Sequence, residues 1–237
     1  MIYDNLNSYD DLVNGIESKS NSLLGHVLYT RKELNEGTFY QEMFNRISNS
    51  GIRSIIDVGG CTGEFTKKMM EIIPSIEKAI IVEPLSSNFH FIKYRFSHEK
   101  RIQVVKKCVY YDQDFLKLHI PKCGNVGGAC GVMSEKNSSD YEVVDVIPIE
   151  SLPIYDFIKI DVEGAEWRII ENSTNLKKFK YIQLEFHNLN GWHSYKEWHK
   201  FVKEHLPDYE ILVDGNDCYR EWGGSWFEQV LLKNKNI

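Results

Sequence analysis

Residues Ile55–Phe65 read IIDVGGCTGEF. Ile55, Ile56 and Val58 flank an acid, Asp57, in a short strand-like run. Gly59, Gly60 and Gly63 then punctuate the chain, and Glu64–Phe65 open a stretch with helical character. A strand that turns through glycines into a helix lets a ligand approach the backbone and rest on the helix N-terminus. The next strand-like run, AIIVEP, ends in Glu83. In open α/β folds an acid at that place accepts hydrogen bonds from ribose hydroxyls. The ligand expected here is therefore adenosine-like, at the carboxyl ends of the strands. The purely structural alternative is a tight turn that needs small residues.

The spacing excludes the dinucleotide fingerprint. Counting from Gly59, the next two slots of G-x-G-x-x-G hold Cys61 and Glu64. Glu64 at the helix entrance would also repel a pyrophosphate. A cationic or zwitterionic cofactor would tolerate both Glu64 and Asp57. S-adenosyl-L-methionine has a ribose, an adenine, a sulfonium and an amino-acid end, and no phosphate, so it is the cofactor expected.

Working outward, SIIDV, AIIVE, IQVVKKCV, DFIKID and YIQLEF are short runs rich in Ile, Val and Phe, and helix-like stretches at 64–73, 89–98 and 165–172 separate most of them. Strands alternating with helices predict a parallel sheet covered on both faces. YEILVDG and FEQVLLK add two strands near the end. Between Val109 and Val143 lies a long loop rich in Gly, Ser and Cys, the kind of segment that is usually functional or mobile. Residues 1–50 read as a helical, polar N-terminal extension, broken near Ser18–Ser22 and Asn35–Gly37. Its segment Phe39–Ile47 is apolar at helical spacing, with a stop at Ser48–Gly51. The expected division is 1–50 as extension and 51–237 as the main domain.

FIKIDVEGAEW, Phe157–Trp167, places Asp161, Glu163 and Glu166 at the end of an apolar strand, where buried charge is costly. Asp161 belongs at the strand mouth. Glu163, two residues on, shares its face only if the strand continues. Glu166 enters a helix, where an acid near the N-terminus is worth about 0.3–1 kcal/mol, and is read as a helix-start residue.

DVGGCTGEF, VEP, FIKIDVEGAEW and YIQLEFH together resemble the FkbM family of S-adenosylmethionine-dependent O-methyltransferases, from about Ser54 to His187 and loosely to Leu232. IKIDVEGAE is the most specific part. The resemblance implies a doubly wound, Rossmann-like class I methyltransferase sheet of seven strands, the last antiparallel. It implies that Asp57, Gly59 and Gly63, with Gly60 and Cys61 in the same turn, line the methionine part of the cofactor. Glu83, followed by Pro84, would hold the ribose, and CVYYD, ending in Asp112, would lie beside the adenine. Cys61 stands where an asparagine is common in the family, so the resemblance carries over the backbone turn at this position and not a side-chain contact. Residues 1–50 and the glycine-rich loop match nothing in the family and are expected to carry acceptor specificity.

Methyl transfer to oxygen needs alignment and a way to remove the hydroxyl proton. A general base is worth about 10²–10⁴-fold, and a metal can acidify a bound hydroxyl instead. Asp161 and Glu185 end successive predicted strands, and His187 follows two residues later. If those strands are neighbours, the three face one crevice. Oxygen ligands with one imidazole suit magnesium or manganese, which could hold two neighbouring sugar hydroxyls. The metal-free alternative makes His187 or Asp161 the base. Trp192, Trp198, Trp222 and Trp226 cluster near the end. Trp198 and Phe201 are expected in a helix core, and Trp192 and Trp222 near the acceptor.

Other classes fit less well. Tyr155-x-x-x-Lys159 falls in a predicted strand, where four residues span about 13 Å, so it makes no nicotinamide site. A metal-dependent nucleotide-sugar glycosyltransferase could use Asp161 and Glu163, but leaves the glycine turn and Glu83 unexplained. The 237 residues, 42% hydrophobic and 13% aromatic, suit one large soluble domain. A net charge of -6 argues against nucleic acid as the main partner and leaves a small-molecule or glycan acceptor. Five cysteines without C-x-x-C favour reduced thiols. The polar N-terminus and the lack of a membrane-length apolar run lead to a cytoplasmic expectation, with monomer or homodimer open.

Overall fold

The computed structural model describes residues 23–120, 141–188, 197–215, 220–222 and 225–237. Two helices come first, α1 (Leu23–Glu36) and α2 (Thr38–Ile47), broken at Gly37 as the sequence suggests. An alternating series follows: β1 (Ser54–Val58), α3 (Glu64–Ile72), β2 (Lys78–Val82), α4 (Ser86–Arg95) and β3 (Ile102–Val105). Then come β4 (Cys108–Val109), β5 (Phe115–His119), β6 (Tyr141–Ile147), β7 (Phe157–Ile160), α5 (Glu166–Asn172) and β8 (Tyr181–Asn188). The chain closes with α6 (Glu197–His205), β9 (Tyr209–Asp214), β10 (Arg220–Trp222) and β11 (Ser225–Asn234).

The main sheet runs β3-β2-β1-β7-β8-β11, with β9 and β10 sharing the outer edge of β11. Its eight strands therefore fill seven ranks. β3, β2, β1, β7 and β8 are mutually parallel, and β11 is antiparallel to β8. The doubly wound sheet with an antiparallel last strand is thus present.

Side-chain alternation sorts the two faces. Ile56, Val58, Ile158, Ile160, Ile182, Leu184, Phe186, Val230 and Leu232 form one core with Trp167 and Ile170 of α5 and Trp198 and Phe201 of α6. Ile55, Phe157, Tyr181 and Leu231 face the other way, onto Tyr40, Met43 and Ile47 of α2 and Phe65 and Met69 of α3. Each such side chain contributes about 1.5–3 kcal/mol by leaving water. Trp198 and Phe201 are core residues, as expected. Trp192 lies outside the described residues, and Trp222 and Trp226 are described in backbone only.

The segment expected as one long loop after Val109 contains structure. β5 pairs antiparallel with β6, and β6 also pairs with β4, in a separate small sheet. Leu118 and Val144 are buried, with Leu85 and Cys108, while Phe115, Tyr141 and Val143 are exposed. One face packs and the other does not, so the apolar signal is weak. Residues 121–140 lie outside the described residues. α4 also starts earlier than the periodicity suggests, at Ser86. No helix among the described residues is long and apolar enough to cross a membrane.

Candidate active site

β1, β2, β7 and β8 end side by side, and the sheet reverses direction of winding between β1 and β7. Ligands of such sheets bind at that crevice. The Asp161 N–H donates to the Val58 carbonyl across it, at 3.1 Å. Gly59 has φ +79°, and a Cβ there would lie 1.7 Å from the Asp161 carbonyl oxygen. Only glycine fits. A Cβ on Gly60 would lie 2.1 Å from Ile81 Cγ2. The turn is pinned by the Gly59 and Gly60 N–H groups, which donate to the Val82 carbonyl at 3.0 and 3.2 Å.

Glu83 sits beneath this turn, buried. Its carboxylate accepts from the Cys61 N–H at 2.8 Å, the Leu85 N–H at 3.0 Å and the Asn88 amide at 3.3 Å. Pro84 has no N–H, so Leu85 is the first donor after it. A carboxylate offers about four acceptor positions, so these three leave one free. Burial pushes the Glu83 carboxyl up to about 7. Asp57 is fully buried. Its Oδ2 accepts from the Thr66 hydroxyl at 2.7 Å, and its Oδ1 has no hydrogen-bond partner and faces Lys159 Nζ at 3.7 Å. Spare acceptors on two acids, beside a turn with no room for side chains, fit the hydroxyls and amino group of S-adenosylmethionine.

Cys61 is left-handed, with φ 47°. Its thiol lies 3.9 Å from the Asn88 amide, and burial, then Glu83, push it well up. Cys61 is half-buried and Cys108 is buried; the other three cysteines lie outside the described residues. Asp112 is exposed, with φ 57°.

Glu64 behaves differently from its sequence reading. It is buried, paired with Arg95 at 2.7 Å and Arg31 at 3.1 Å. Those guanidiniums neutralise it, so its charge does not by itself bar a pyrophosphate. The missing glycines remain the reason against a dinucleotide.

The other half of the crevice holds the remaining acids. Lys159 is buried, 2.8 Å from Asp161 Oδ2. Burial disfavours its charge, but Asp161 and Asp57 outweigh burial and hold it above the ordinary lysine range. Burial likewise opposes ionisation of Asp161, yet Lys159 and then His187 hold its carboxyl below the usual value.

β7 stops at Ile160, so Glu163 does not reach this face as a strand residue. It arrives through a turn instead: Glu163 is left-handed, φ 56°, and Gly164 has φ 103°. The turn swings its carboxylate to 3.6 Å from His187 Nε2. Asp161, Glu163 and His187 offer ligand atoms within 4.8 Å of one another. Glu185 also reaches His187, its Oε1 lying 3.3 Å from Nε2, while Gln229 donates to its Oε2 at 2.7 Å.

Glu166, read from sequence as a helix-start acid, does more. Fully buried, it accepts from the Val162 N–H at 2.9 Å and the Gly164 N–H at 3.0 Å, closing the turn. It also lies 3.1 Å from His187 Nδ1. A carboxylate only accepts, so Nδ1 carries a hydrogen toward Glu166, and Nε2, on the crevice side, donates to Glu185 when the ring is charged. Burial disfavours a charged imidazole, but Glu163, Glu166 and Glu185 outweigh it and hold His187 well above its usual range. Burial also pushes Glu163 up, with the Asp161 and Glu185 charges adding to it against the pull of His187. From α1, His26 senses the same charges: burial lowers it and Asp161 opposes the shift.

Over residues 57–209, more than half of its length, the chain matches the family model described as the methyltransferase FkbM domain. No curated protein sequence matches it. Among solved structures, the methyltransferase FkbM from Methylobacillus flagellatus KT is similar with a TM-score of 0.50 at 15% identity, over 94% of this chain and 57% of that one. The chain thus spans less than two thirds of that protein's length, and the likeness is one of fold. A putative tRNA (m1A22) methyltransferase from Streptococcus pneumoniae has a TM-score of 0.47 at 13% identity, over 81% of this chain and 69% of that one. TrmK from M. capricolum, in complex with S-adenosylhomocysteine, has 0.45 at 10% identity, over 81% and 67%.

Proposed function

The chain belongs to the FkbM methyltransferase domain family, and from there we propose that it is an S-adenosylmethionine-dependent O-methyltransferase acting on a sugar hydroxyl of a glycan or glycoside. The observation that carries the reading is the juxtaposition across one crevice. A glycine turn with spare acceptors on Asp57 and Glu83 stands on one side, and Asp161, Glu163, Glu185 and His187 on the other. When bound, the sulfonium cofactor supplies an activated methyl group; the chain has to hold it, align the acceptor and accept a proton.

Gly59 and Gly60 let the turn pack directly against Asp161 and Ile81 and so present its backbone to the cofactor; Glu83 receives a ribose hydroxyl, and Asp57 faces the amino-acid end. Pro84 and Asp112 border the nucleoside side in this reading. Asp161, Glu163 and His187 would hold a divalent cation, magnesium or manganese, and Glu185 would back the imidazole. Such an ion would acidify a sugar hydroxyl and orient its neighbour. Without metal, the base would come from the same cluster, His187 or Asp161, with the Glu163 carboxyl 3.6 Å from the imidazole. The excess of acids in the crevice favours a neutral acceptor over a phosphate or carboxylate.

Calorimetry with S-adenosylhomocysteine, NAD and a nucleotide sugar tests the class. Only the first should bind, and its failure to bind would remove the reading. Its affinity should also depend on pH through Glu83. Ribose hydroxyls donate more strongly to the ionised carboxylate than to the protonated one, and burial pushes the Glu83 carboxyl up to about 7. Affinity should therefore rise with pH up to that value and level off above it, by at most about tenfold per pH unit. Glu83→Gln should flatten the profile, and a flat wild-type profile would take Glu83 out of the cofactor site. For the metal, transfer of labelled methyl to a glycoside panel should fall in EDTA and return with magnesium or manganese. Full activity in chelator would remove the metal from the reading.

A further inference from the structure

We propose that Tyr40 and Gln229 are positioning residues, which hold the crevice side of His187 through Glu185 and so make α2 and β11 part of the active site. What the site does rests on the methyltransferase reading; the contacts do not. Gln229 is buried, and its Nε2 lies 2.7 Å from Glu185 Oε2 and 3.0 Å from the Tyr40 hydroxyl oxygen. Because a carboxylate only accepts, the amide must turn its NH₂ toward Glu185. The second hydrogen of the same group serves Tyr40. The other Glu185 oxygen lies against His187 Nε2, and Glu166 holds Nδ1. An unbroken chain therefore runs from Tyr40 through Gln229, Glu185 and His187 to Glu166.

Each end is anchored. The Tyr40 ring packs 6.0 Å from Phe44 and 6.3 Å from Phe65, between centroids. Gln229 is the register partner of Glu185 in the β8–β11 pair, and its carbonyl accepts from the Gly215 N–H at 2.8 Å. The residue type is informative. A buried amide is costly unless bonded, and an apolar residue would pack there at less risk. A lysine would cancel the charge of Glu185. Glutamine satisfies one oxygen and leaves the negative charge to act on His187. Both Tyr40 and Gln229 lie outside the stretch that matches the family, 57–209.

The test uses the full chain with S-adenosylhomocysteine added, and ¹⁵N spectra of the imidazole nitrogens at one fixed pH. In Gln229→Leu the His187 signals should shift or broaden, while those of His199 on α6, paired with Asp214 of β9, stay put. S-adenosylhomocysteine affinity should be unchanged, and turnover on a glycoside should fall about 10–100-fold, the range for loss of an outer partner of a functional histidine. Tyr40→Phe should move His187 in the same sense by less, and add nothing in the Gln229→Leu background. Unmoved His187 signals in Gln229→Leu would overturn the proposal. If that variant does not fold, Tyr40→Phe decides alone, since no shift of His187 would be the negative result. A wild type that fails to bind S-adenosylhomocysteine would remove the methyltransferase reading and leave the relay standing.

Discussion

Gly59→Ala should abolish S-adenosylhomocysteine binding in a protein that still folds. The added methyl would sit 1.7 Å from the Asp161 carbonyl oxygen and 2.9 Å from its carbon, both backbone atoms. No side-chain rotation relieves that contact. The ends of β1 and β7 would have to part, and they are joined in register from Ile55–Phe157 to Val58–Ile160. The left-handed φ adds about 1–2 kcal/mol of strain. The turn that receives the cofactor and the strand end that carries Asp161 are the two pieces displaced, so binding and alignment fail together. Gly51→Ala is the matched control. Its φ is +71°, but nothing lies within 4 Å of the new methyl. It should cost only the strain, about 1 kcal/mol, and leave affinity as it was. Calorimetry on both variants decides, and wild-type affinity in Gly59→Ala would place the cofactor elsewhere.

His187→Gln should separate chemistry from cofactor binding. The imidazole touches Glu166, Glu185 and Glu163 and none of the residues of the glycine turn. Affinity for S-adenosylhomocysteine should therefore persist, while methyl transfer falls by about 10²–10⁴-fold, whether the ring serves as ligand or as proton carrier. Stability should drop as well. Removing one partner of a buried charged cluster costs about 3–5 kcal/mol, and here it leaves carboxylates facing one another. Denaturant unfolding should show a lower midpoint with an unchanged slope. The sign with pH also follows. The native value is raised, so the contribution of His187 is complete below the unfolded value of about 6.5. It is lost as pH rises through the native one. Undiminished methyl transfer by His187→Gln would remove His187 from the mechanism.

Some of the site was legible because its signals are local. Glycines between an apolar run and a helix announce a turn without reference to the rest of the chain. Glu83 ends the next strand, and its place under the turn follows from β1 and β2 being adjacent. Asp161 and His187 end neighbouring parallel strands, so their shared crevice could be expected from the alternation of strands and helices. The doubly wound, seven-stranded sheet and its antiparallel last strand came with the family likeness, carried most specifically by IKIDVEGAE.

Other parts could not be read that way. Glu163 reaches the crevice because its φ is positive, a state that a glutamate does not advertise. Glu166 looks like a helix-start acid and is one. Its bond to His187 joins residues 21 apart in sequence, and the Gln229–Tyr40 bond joins residues 189 apart. Glu64 looked exposed to a ligand until Arg31 and Arg95 closed on it. The sequence by itself determined the turn, the strands and the residue types that chemistry requires, because periodicity and glycine act within a few residues. Only the tertiary structure decided which acids meet His187. That depends on two left-handed torsions and on helix α2 and strand β11 packing against a sheet built mostly from the residues between them.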